Sequence, residues 1–373
     1  MVSQRIDCIL VGDNNLLIAC ADVLLNSGHD IRAVITSDPD VAAWAEDRKI
    51  AAVAQGPGVT VDVSSLDAVD FLFSVGNYFI VPGELLALPR EFALNVHDSP
   101  LPRLAGRYAT SWAIADEEKE HGVTWHVMAP LFDSGDVVKQ CRFPLGSAET
   151  AASLDIRCFL TAVTLFEELV DELATGRYVR TPQDLSRRTQ HTLRERPDSV
   201  ISWEWPARRV DAAVRATDFG SRDNPFGVTR LRAGDAFFIP LRSRVVTEAP
   251  TAAPGTVISA RDGTLVVSAA TGDVALGPFV TLEGEPVPAL PGVAPGDRLH
   301  GLTAHEREAL HRLTRAALRA ERSWLAGAEE EHGVSRPLPV PEGLAPLFSP
   351  RGPFLRDRAY RYRSRFAGGG RGR

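Results

Sequence analysis

Short apolar runs alternate with helical patterns through the first part of the chain, and this alternation constrains the fold most strongly. The runs predicted as buried strands are Ile6–Val11, Ile31–Thr36, Phe71–Val75, Ala93–His97, Val123–Met128 and Val137–Phe143. The helical patterns are Asn14–Asn26, Pro39–Arg48 and Thr150–Ala174. Continuously apolar strands that are separated by helices build a mostly parallel sheet covered on both faces. We therefore predict an α/β fold with a Rossmann-like domain over residues 1–180.

The second half of the chain has a different pattern. Residues 181–199 are polar and rich in Arg, which is typical of a linker. Residues 200–300 contain a short helical pattern and then β-rich runs, which Gly and Pro interrupt about every ten residues. These runs are Ala236–Pro240, Gly255–Ser259, Thr264–Ala269 and Asp273–Phe279. The spacing predicts a small, OB-like β-barrel domain.

The C-terminal part is predicted to hold one more helix and a tail. Residues 301–332 begin with a capping box of Thr303 and Glu306 and continue as an amphipathic helix or connector. Residues 333–373 are rich in Pro, Arg and Gly and show almost no periodic apolar stripe. Such a segment buries too little apolar surface to offset the entropy of ordering it, so we predict a disordered tail.

Charge and hydropathy restrict the classes of function. The net charge is −7, and residues 351–373 carry eight Arg and one Asp, which leaves −14 on residues 1–350. An acidic body is a poor partner for a phosphate backbone, so we do not expect tRNA as a partner. The chain has no apolar run long enough for a membrane span or a signal peptide. Four cysteines without metal-ligand spacing favour reduced thiols, so we expect a cytoplasmic protein without a metal.

Two nucleotide-binding motifs are missing from the sequence. The turn after the first predicted strand reads Gly12-Asp-Asn-Asn and not G-x-G-x-x-G, so the phosphate cradle of dinucleotide-binding domains is absent. The chain also has no G-x-x-x-x-G-K-[ST]. A nicotinamide-dependent enzyme is therefore not expected.

The segment from Asn95 to Asp136 carries the chemistry. Asn95 and His97 are two residues apart at the end of a predicted strand, so their side chains share a face at the sheet edge where ligands bind. Asp133 lies in an Asp-Ser-Gly-Asp turn after another strand. An amide, an imidazole and a carboxylate suit acyl transfer, because they can stabilise an oxyanion, move a proton and orient the imidazole. Structural roles stay open: Asn95 and His97 as strand-end groups bonded to nearby backbone, Asp133 as a turn former.

This segment resembles the formyltransferase family that uses 10-formyltetrahydrofolate. The matching motifs are Asn95-Val-His97, Ser99-Pro-Leu-Pro-Arg103 with Gly106, Gly122-Val-Thr124 and Asp133-Ser-Gly135. The resemblance extends from the first strands into the second domain, at Trp203-Glu-Trp205 and at residues 214–227, where it indicates the family's C-terminal β-barrel. It implies an N-formyltransferase enzyme with 10-formyltetrahydrofolate as formyl donor and co-substrate.

The resemblance also implies roles for individual residues. Asn95 would donate to the formyl oxygen, His97 would take a proton from the attacking amine, and Asp133 would hold His97 and order water. The residues implied in binding the folate are Ser74, Gly76, Asn77, Tyr78, Ser99, Gly106, Pro130 and Leu131. The folate is expected to bind the 1–180 domain alone. Asp98 and Leu104-Ala105 depart from the family pattern and would alter the acceptor pocket.

The acceptor amine is less defined. The family's best-known member acts on initiator methionyl-tRNA and carries a basic insertion after the second strand, whereas residues 35–51 are acidic and hold none. The motif most resembles formyltransferase domains of nonribosomal peptide and polyketide synthetases. We therefore expect a small-molecule or carrier-tethered amine in specialised-metabolite biosynthesis, with a synthetase module or carrier protein as a candidate partner. Methionyl-tRNA formyltransferase, formyltetrahydrofolate hydrolase and an inactive docking module remain alternatives.

Overall fold

The computed structural model describes residues 4–325 except 57, 193, 194, 196, 198, 223 and 225, together with residues 344 and 347; over 316–325 it describes the backbone alone. The first nine strands are β1 (Asp7–Val11), β2 (Asp30–Thr36), β3 (Ala51–Ala54), β4 (Val69–Ser74), β5 (Pro89–His97), β6 (Ala105–Gly106), β7 (Glu120–Val127), β8 (Val137–Pro144) and β9 (Gln190–His191). Seven of them form one sheet, in the order β3-β2-β1-β4-β5-β7-β8. The first five strands of this order are parallel, and β7 runs antiparallel to both β5 and β8.

Five helices belong to this part of the chain: α1 (Asn15–Asn26), α2 (Pro39–Asp47), α3 (Gly83–Leu86), α4 (Ala109–Ala115) and α5 (Ala151–Ala174). The sequence dictates several of their starts. The Asn14 side chain accepts from the Leu16 amide at 3.0 Å, which satisfies a free donor in the first turn of α1. Thr150 and Ser153 form a reciprocal capping box at the start of α5. The short helix α4 and the edge strand β3 were not predicted.

Both faces of the sheet are covered by apolar packing. On one face, the rings of Trp125 and Phe166 stack at 4.7 Å between centroids, and Phe73 meets Phe166 edge-on at 5.0 Å. The other face carries a second buried cluster that includes Ile9 and Leu85. A parallel sheet needs this cover because its strands are apolar on both sides. The predicted α/β, Rossmann-like fold with a mostly parallel sheet is confirmed.

The following part consists of α6 (Ala207–Ala216), eight short strands and α7 (Ala304–Leu325). The strands are β10 (Leu231–Ala233), β11 (Ala236–Pro240), β12 (Ser243–Thr247), β13 (Val257–Arg261), β14 (Thr264–Ser268), β15 (Asp273–Leu276), β16 (Phe279–Val280) and β17 (Pro286–Val287). They form two four-stranded antiparallel sheets, β10-β11-β16-β17 and β12-β15-β14-β13, an arrangement compatible with the predicted small barrel. The single strand predicted at Asp273–Phe279 is broken at Gly277-Pro278, because proline cannot donate to a ladder.

Helix α6 packs against the first domain and connects it to the part that contains the antiparallel sheets. Ala212 and Ala216 belong to the same buried cluster as the core of the first sheet. The Phe226 ring lies 5.3 Å from Trp112 and 5.6 Å from Tyr108, both at the start of the α4 region. The segment predicted as a linker is also docked, since β9 pairs with β6. The two parts therefore share apolar packing.

The start of α7 agrees with the prediction. The Glu306 amide donates to Thr303 Oγ1 at 3.2 Å, and the Thr303 amide donates to the Glu306 carboxylate at 2.8 Å, which completes the capping box. No helix in the part of the chain that the structure describes is long and apolar enough to cross a membrane.

The predicted disordered tail lies outside the described residues except at Leu344 and Leu347. Both side chains are buried, in an apolar cluster with Phe237, Leu302 and Leu310. The prediction of disorder is wrong at these two positions. Its basis was local composition, and the partners that bury the two leucines come from the barrel and from α7.

Candidate active site

A cavity of about 830 Å³ opens at the carboxyl ends of the central strands. The chain runs from β1 to β2 and β3 on one side and places β4 and β5 on the other, so the strand order reverses between β1 and β4. Open α/β sheets bind ligands at such a reversal. Asn14, which follows β1, and residues 76–81, which follow β4, line the cavity.

Strand register brings three polar side chains side by side. Ser74 on β4 pairs with Asn95 on β5, and Asn95 pairs with His126 on β7. The Asn95 amide nitrogen lies 3.2 Å from His126 Nε2 and donates to the Val96 carbonyl at 3.1 Å. All three paired residues line the cavity, and the sequence analysis missed His126. The antiparallel pairing of β5 with β7 is the signal that identifies it.

His126 is a neutral acceptor in this arrangement. Its Nδ1 lies 2.9 Å from the Val127 carbonyl oxygen, which only accepts, so Nδ1 carries the proton and Nε2 is free to accept from Asn95. Burial lowers the pKa of His126 to about 4, so the ring is uncharged at neutral pH. Both amide hydrogens of Asn95 are therefore engaged. To donate to a formyl oxygen, Asn95 must exchange one of these two bonds.

His97 has one ring nitrogen, Nδ1, that can accept a proton. Its Nε2 lies 2.9 Å from the Leu104 carbonyl oxygen and must donate to it, so Nδ1 holds the lone pair. Nδ1 lies 3.6 Å from Asp98 Oδ1, and both residues line the cavity. A positioned imidazole with a free nitrogen is suited to general base catalysis.

Asp133 makes contacts that differ from the expected ones. Its Oδ2 accepts from the Gly106 amide at 2.8 Å, and its Oδ1 lies 3.7 Å from His126 Nε2. Burial would raise the pKa of Asp133, but the attraction to the imidazole of His97, the hydrogen bond from the Gly106 amide, and the nearby His126 and Arg188 together hold it below its usual range. Among the described residues, we find no hydrogen bond between Asp133 and His97. The expectation that Asp133 holds His97 directly is corrected: the carboxylate fixes the loop at Gly106 instead.

Two glycines allow loops to approach one another closely. Gly76 has φ +59°, and a Cβ there would lie 2.1 Å from Nδ2 of the Asn14 side chain. Gly106 has φ +96°, and a Cβ there would lie 2.1 Å from the His191 carbonyl oxygen. Left-handed backbone and close contact both favour glycine at these positions. The sequence had singled out both residues.

The predicted folate-binding residues divide into two groups. Five of them line the cavity: Ser74, Gly76, Asn77, Tyr78 and Gly106. Pro130, Leu131 and Ser99 are not among its lining residues, while Ala129 and Phe132 are. Ser99 is fully buried, and its hydroxyl donates to the Arg103 carbonyl at 2.8 Å, so it shapes the turn after β5. A loop motif alone does not reveal which of its side chains point inward.

Residues from later parts of the chain complete the cavity. Asp155 and Phe159 on α5, His191 on β9, and Phe219 and Arg222 after α6 all line it. We call these five the interdomain residues, and we call Ser74, Asn95, His97 and His126 the sheet-edge residues. Arg222 pairs with Asp155 at 3.0 Å across this boundary. The cavity therefore extends beyond the 1–180 domain, which the sequence analysis expected to bind folate by itself.

Four cysteines are present as free thiols, and burial raises the pKa of Cys8, Cys20 and Cys158. Within the described residues, no group of three or more His, Cys, Asp or Glu side chains is arranged to hold a metal ion. The cavity lining includes amide, imidazole, carboxylate and guanidinium groups, which suit acyl transfer through proton movement and oxyanion stabilisation.

Comparison with known proteins agrees with this site. Residues 11–166 match the family described as "Formyl transferase". The methionyl-tRNA formyltransferase of Anaeromyxobacter dehalogenans is 28% identical over 303 residues, which cover 77% of this chain and 96% of that protein. Residues 11–166 therefore carry a formyl transferase domain, and the chain is similar to N-formyltransferases beyond it. The predicted class of enzyme, an N-formyltransferase, is confirmed.

Solved structures share the fold. The N-formyltransferase from Helicobacter canadensis, in complex with folinic acid and dTDP-3-aminofucose, has a TM-score of 0.61 at 17% identity, covering 74% of this chain and 100% of that one. HypX from Aquifex aeolicus, in complex with tetrahydrofolic acid, has a TM-score of 0.52 at 20% identity, covering 77% of this chain and 46% of that one. At such identities these likenesses establish the fold alone.

Proposed function

We propose that this protein transfers the formyl group of 10-formyltetrahydrofolate to the amine of a small-molecule or carrier-tethered acceptor in specialised-metabolite biosynthesis. The observation that carries the proposal is the meeting of Asn95, His97 and Asp133 at one cavity in a formyl transferase domain. We place this activity in the cytoplasm, a location in keeping with four free thiols.

The donor binds between the loop after β4 and the segment from Met128 to Phe132. Ser74, Gly76, Asn77 and Tyr78 contribute the first of these surfaces. The Asn14 side chain packs closely against Gly76, and both residues line this side of the cavity. The exposed side chains of Tyr78 and Phe132 suit the apolar middle of a folate.

The transfer step uses the free Nδ1 of His97 and the side-chain amide of Asn95. The acceptor nitrogen attacks the formyl carbon, and Nδ1 of His97 takes a proton from that nitrogen as the new bond forms. Asn95 gives up one of its present hydrogen bonds and donates to the oxyanion, a contribution worth about 3 kcal/mol in comparable sites. As the bond from the formyl carbon to N10 breaks, the proton lost by the acceptor nitrogen reaches N10, which leaves tetrahydrofolate and an N-formyl amide. Asp133 keeps the Gly106 loop in place throughout.

The acceptor is assigned on charge and cavity size. Residues 1–350 carry a net charge of −14, which disfavours a polynucleotide acceptor. A cavity of about 830 Å³ is large enough for the reacting end of the folate and a small amine. The alternative acceptor is initiator methionyl-tRNA, which is favoured by the 28% identical relative that carries that name and that this chain matches over 96% of its length.

The experiment incubates the purified full chain with 10-formyltetrahydrofolate and one acceptor at a time. The acceptors are a nucleotide-linked amino sugar, a free amino acid, an aminoacyl carrier protein and methionyl-tRNA. We expect an N-formyl product with one of the first three. Product with methionyl-tRNA alone establishes the alternative, and formate release without any acceptor identifies a hydrolase. Consumption of donor in none of these reactions contradicts formyl transfer.

A further inference from the structure

Asp98 is a cavity residue that the transfer step above does not use. It follows His97 directly at the end of β5. Its side chain is 47% exposed while that of His97 is 8% exposed, so the carboxylate reaches solvent next to a buried imidazole. Within the described residues, the ion-pair partner of Asp98 is His97.

The tautomer of His97 determines which of its ring nitrogens can accept a proton next to Asp98. Because Nε2 donates to the Leu104 carbonyl, any proton taken from a substrate arrives at Nδ1. The carboxylate oxygen 3.6 Å from Nδ1 belongs to Asp98. Asp133, the family carboxylate, is occupied by the Gly106 amide and faces the neutral His126. Among the described residues, Asp98 is therefore the carboxylate that forms an ion pair with His97 at the nitrogen where the proton arrives, while Asp133 interacts with His97 from farther away.

The side chains that respond to the charge of Asp98 are mostly acidic or neutral, and the cavity guanidinium groups, Arg107 and Arg222, bind the Tyr78 carbonyl and Asp155. The titratable side chains around it are His97, Tyr78 after β4, His121 on β7, and Asp155 and Cys158 on α5. Burial raises the pKa of Asp155 and of Cys158, and the negative charge of Asp98 raises both further. Asp155 is already paired with Arg222. A cation that enters here finds Asp98 available.

We propose that Asp98 binds the acceptor as an ammonium ion and holds its nitrogen beside Nδ1 of His97. This assignment rests on the proposed formyl transfer and names the substrate class as a basic amine that arrives protonated. The ammonium gives one proton to Nδ1, and the resulting imidazolium is stabilised by the Asp98 carboxylate. The amine then forms the bond to the formyl carbon, and the bond from that carbon to N10 breaks. A second proton moves from the amine to N10, the product keeps the third, and the proton on His97 passes to solvent.

The test compares the full chain with Asp98→Asn, Asp98→Glu and the surface control Asp47→Asn. The probes are methylamine, which is an ammonium ion at neutral pH, and hydroxylamine, which is neutral. For Asp98→Asn we expect kcat/KM with methylamine to fall roughly 10- to 100-fold, since a hydrogen bond to a charged group contributes about that much. With hydroxylamine, which makes no ion pair with Asp98 but still protonates His97, the fall should be clearly smaller, about 3- to 5-fold. Asp98→Glu should recover part of the rate, and Asp47→Asn should match the wild type, because Asp47 is exposed at the end of α2.

The pH dependence separates binding of an ammonium from a structural role. As the pH rises toward the pKa of methylamine, more of the amine is neutral. The ratio of the wild-type rate to the Asp98→Asn rate should therefore decrease toward one. Equal losses on both amines at every pH would overturn the assignment to Asp98 while leaving formyl transfer in place. If the wild type formylates neither amine nor any acceptor in the panel above, the proposed function itself fails, and this inference fails with it.

Discussion

The sheet-edge residues and the interdomain residues line the same cavity but are held in different ways. Ser74, Asn95 and His126 follow from strand register, so backbone ladders fix their positions. Phe219 and Arg222 depend on the packing of α6 and the residues after it against α4 and α5. The comparison teaches that the proton-transfer groups are held by the sheet, whereas the outline of the cavity depends on how two parts of the chain meet.

The largest expected effect comes from a sheet-edge residue. His97→Ala removes the nitrogen that takes the proton, so turnover should fall roughly 100-fold or more. Binding of 10-formyltetrahydrofolate, measured by calorimetry, should change less than about 3-fold because backbone groups are expected to dominate it. His300→Ala, at an exposed position, is the control. Near-normal turnover of His97→Ala would remove the imidazole from the mechanism.

The interdomain packing should respond most to Phe226→Ala. Phe226 is 2% exposed and meets the rings of Trp112 and Tyr108, so its loss should lower the free energy of unfolding by about 3–5 kcal/mol. Denaturant unfolding measures the change. Phe132→Ala removes the same ring at a 59% exposed position and should cost less than about 1 kcal/mol. Similar losses for the two variants would show that the parts are not coupled through this contact.

A matched pair of glycines tests the contact between the Gly106 loop and β9. Gly106 and Gly284 have φ values of +96° and +90°, but a Cβ at Gly106 would meet a carbonyl oxygen at 2.1 Å, whereas a Cβ at Gly284 would meet nothing within 4 Å. Gly106→Ala should lower stability by about 3 kcal/mol, since overpacking adds to backbone strain. Gly284→Ala should show the strain alone, about 1 kcal/mol.

Measuring the turnover of the two glycine variants tests whether the same contact matters for catalysis. Because Gly106 donates to Asp133, Gly106→Ala should also reduce turnover, while Gly284→Ala should leave it unchanged. If both variants lose the same stability and keep the same rate, the close approach to His191 does not matter to the site.

The smallest effect concerns His191, which stacks on Trp112 with 4.0 Å between ring centroids. Burial would lower the pKa of His191, but contacts with Asp116 at 3.5 Å and Glu195 at 3.1 Å raise it above its ordinary range. A raised pKa means that the stabilisation is complete below about pH 6.5 and disappears as pH rises through the folded-state value. Partly exposed pairs of this kind contribute about 0.5–1 kcal/mol.

The measurement for His191 is the unfolding free energy of the wild type minus that of His191→Gln between pH 5.5 and 9. The difference should be largest at low pH and should shrink as the pH rises. A difference that grows with pH would contradict the assigned direction of the pKa shift.

The limits of sequence-based prediction follow the same division. Short apolar runs located β1, β2, β4, β5, β7 and β8, because the strands of a sheet covered on both faces are rich in apolar residues. The Asn95 and His97 pair was visible because two-residue spacing places side chains on one face of a strand. The contact of Asp133 with Gly106 in place of His97 was not visible, because it depends on the path of a loop 27 residues away in sequence.

The interdomain residues could not be predicted for a related reason. Arg222 meets Asp155 across 67 residues of sequence, and no local pattern marks either as a partner of the other. Leu344 and Leu347 lie in a segment whose composition indicates disorder, yet both are buried against distant apolar groups. Tertiary packing decides such positions, and periodicity does not record it.

The proposed function requires that the formyl group of 10-formyltetrahydrofolate is transferred to the nitrogen of an amine. It is tested most directly by 10-formyltetrahydrofolate labelled with ¹³C at the formyl carbon, followed by NMR during turnover with methylamine. We expect the ¹³C signal to move to an N-formyl amide in the wild type and to stay on the donor in His97→Ala. Label that appears as formate at the same rate with and without the amine would contradict it.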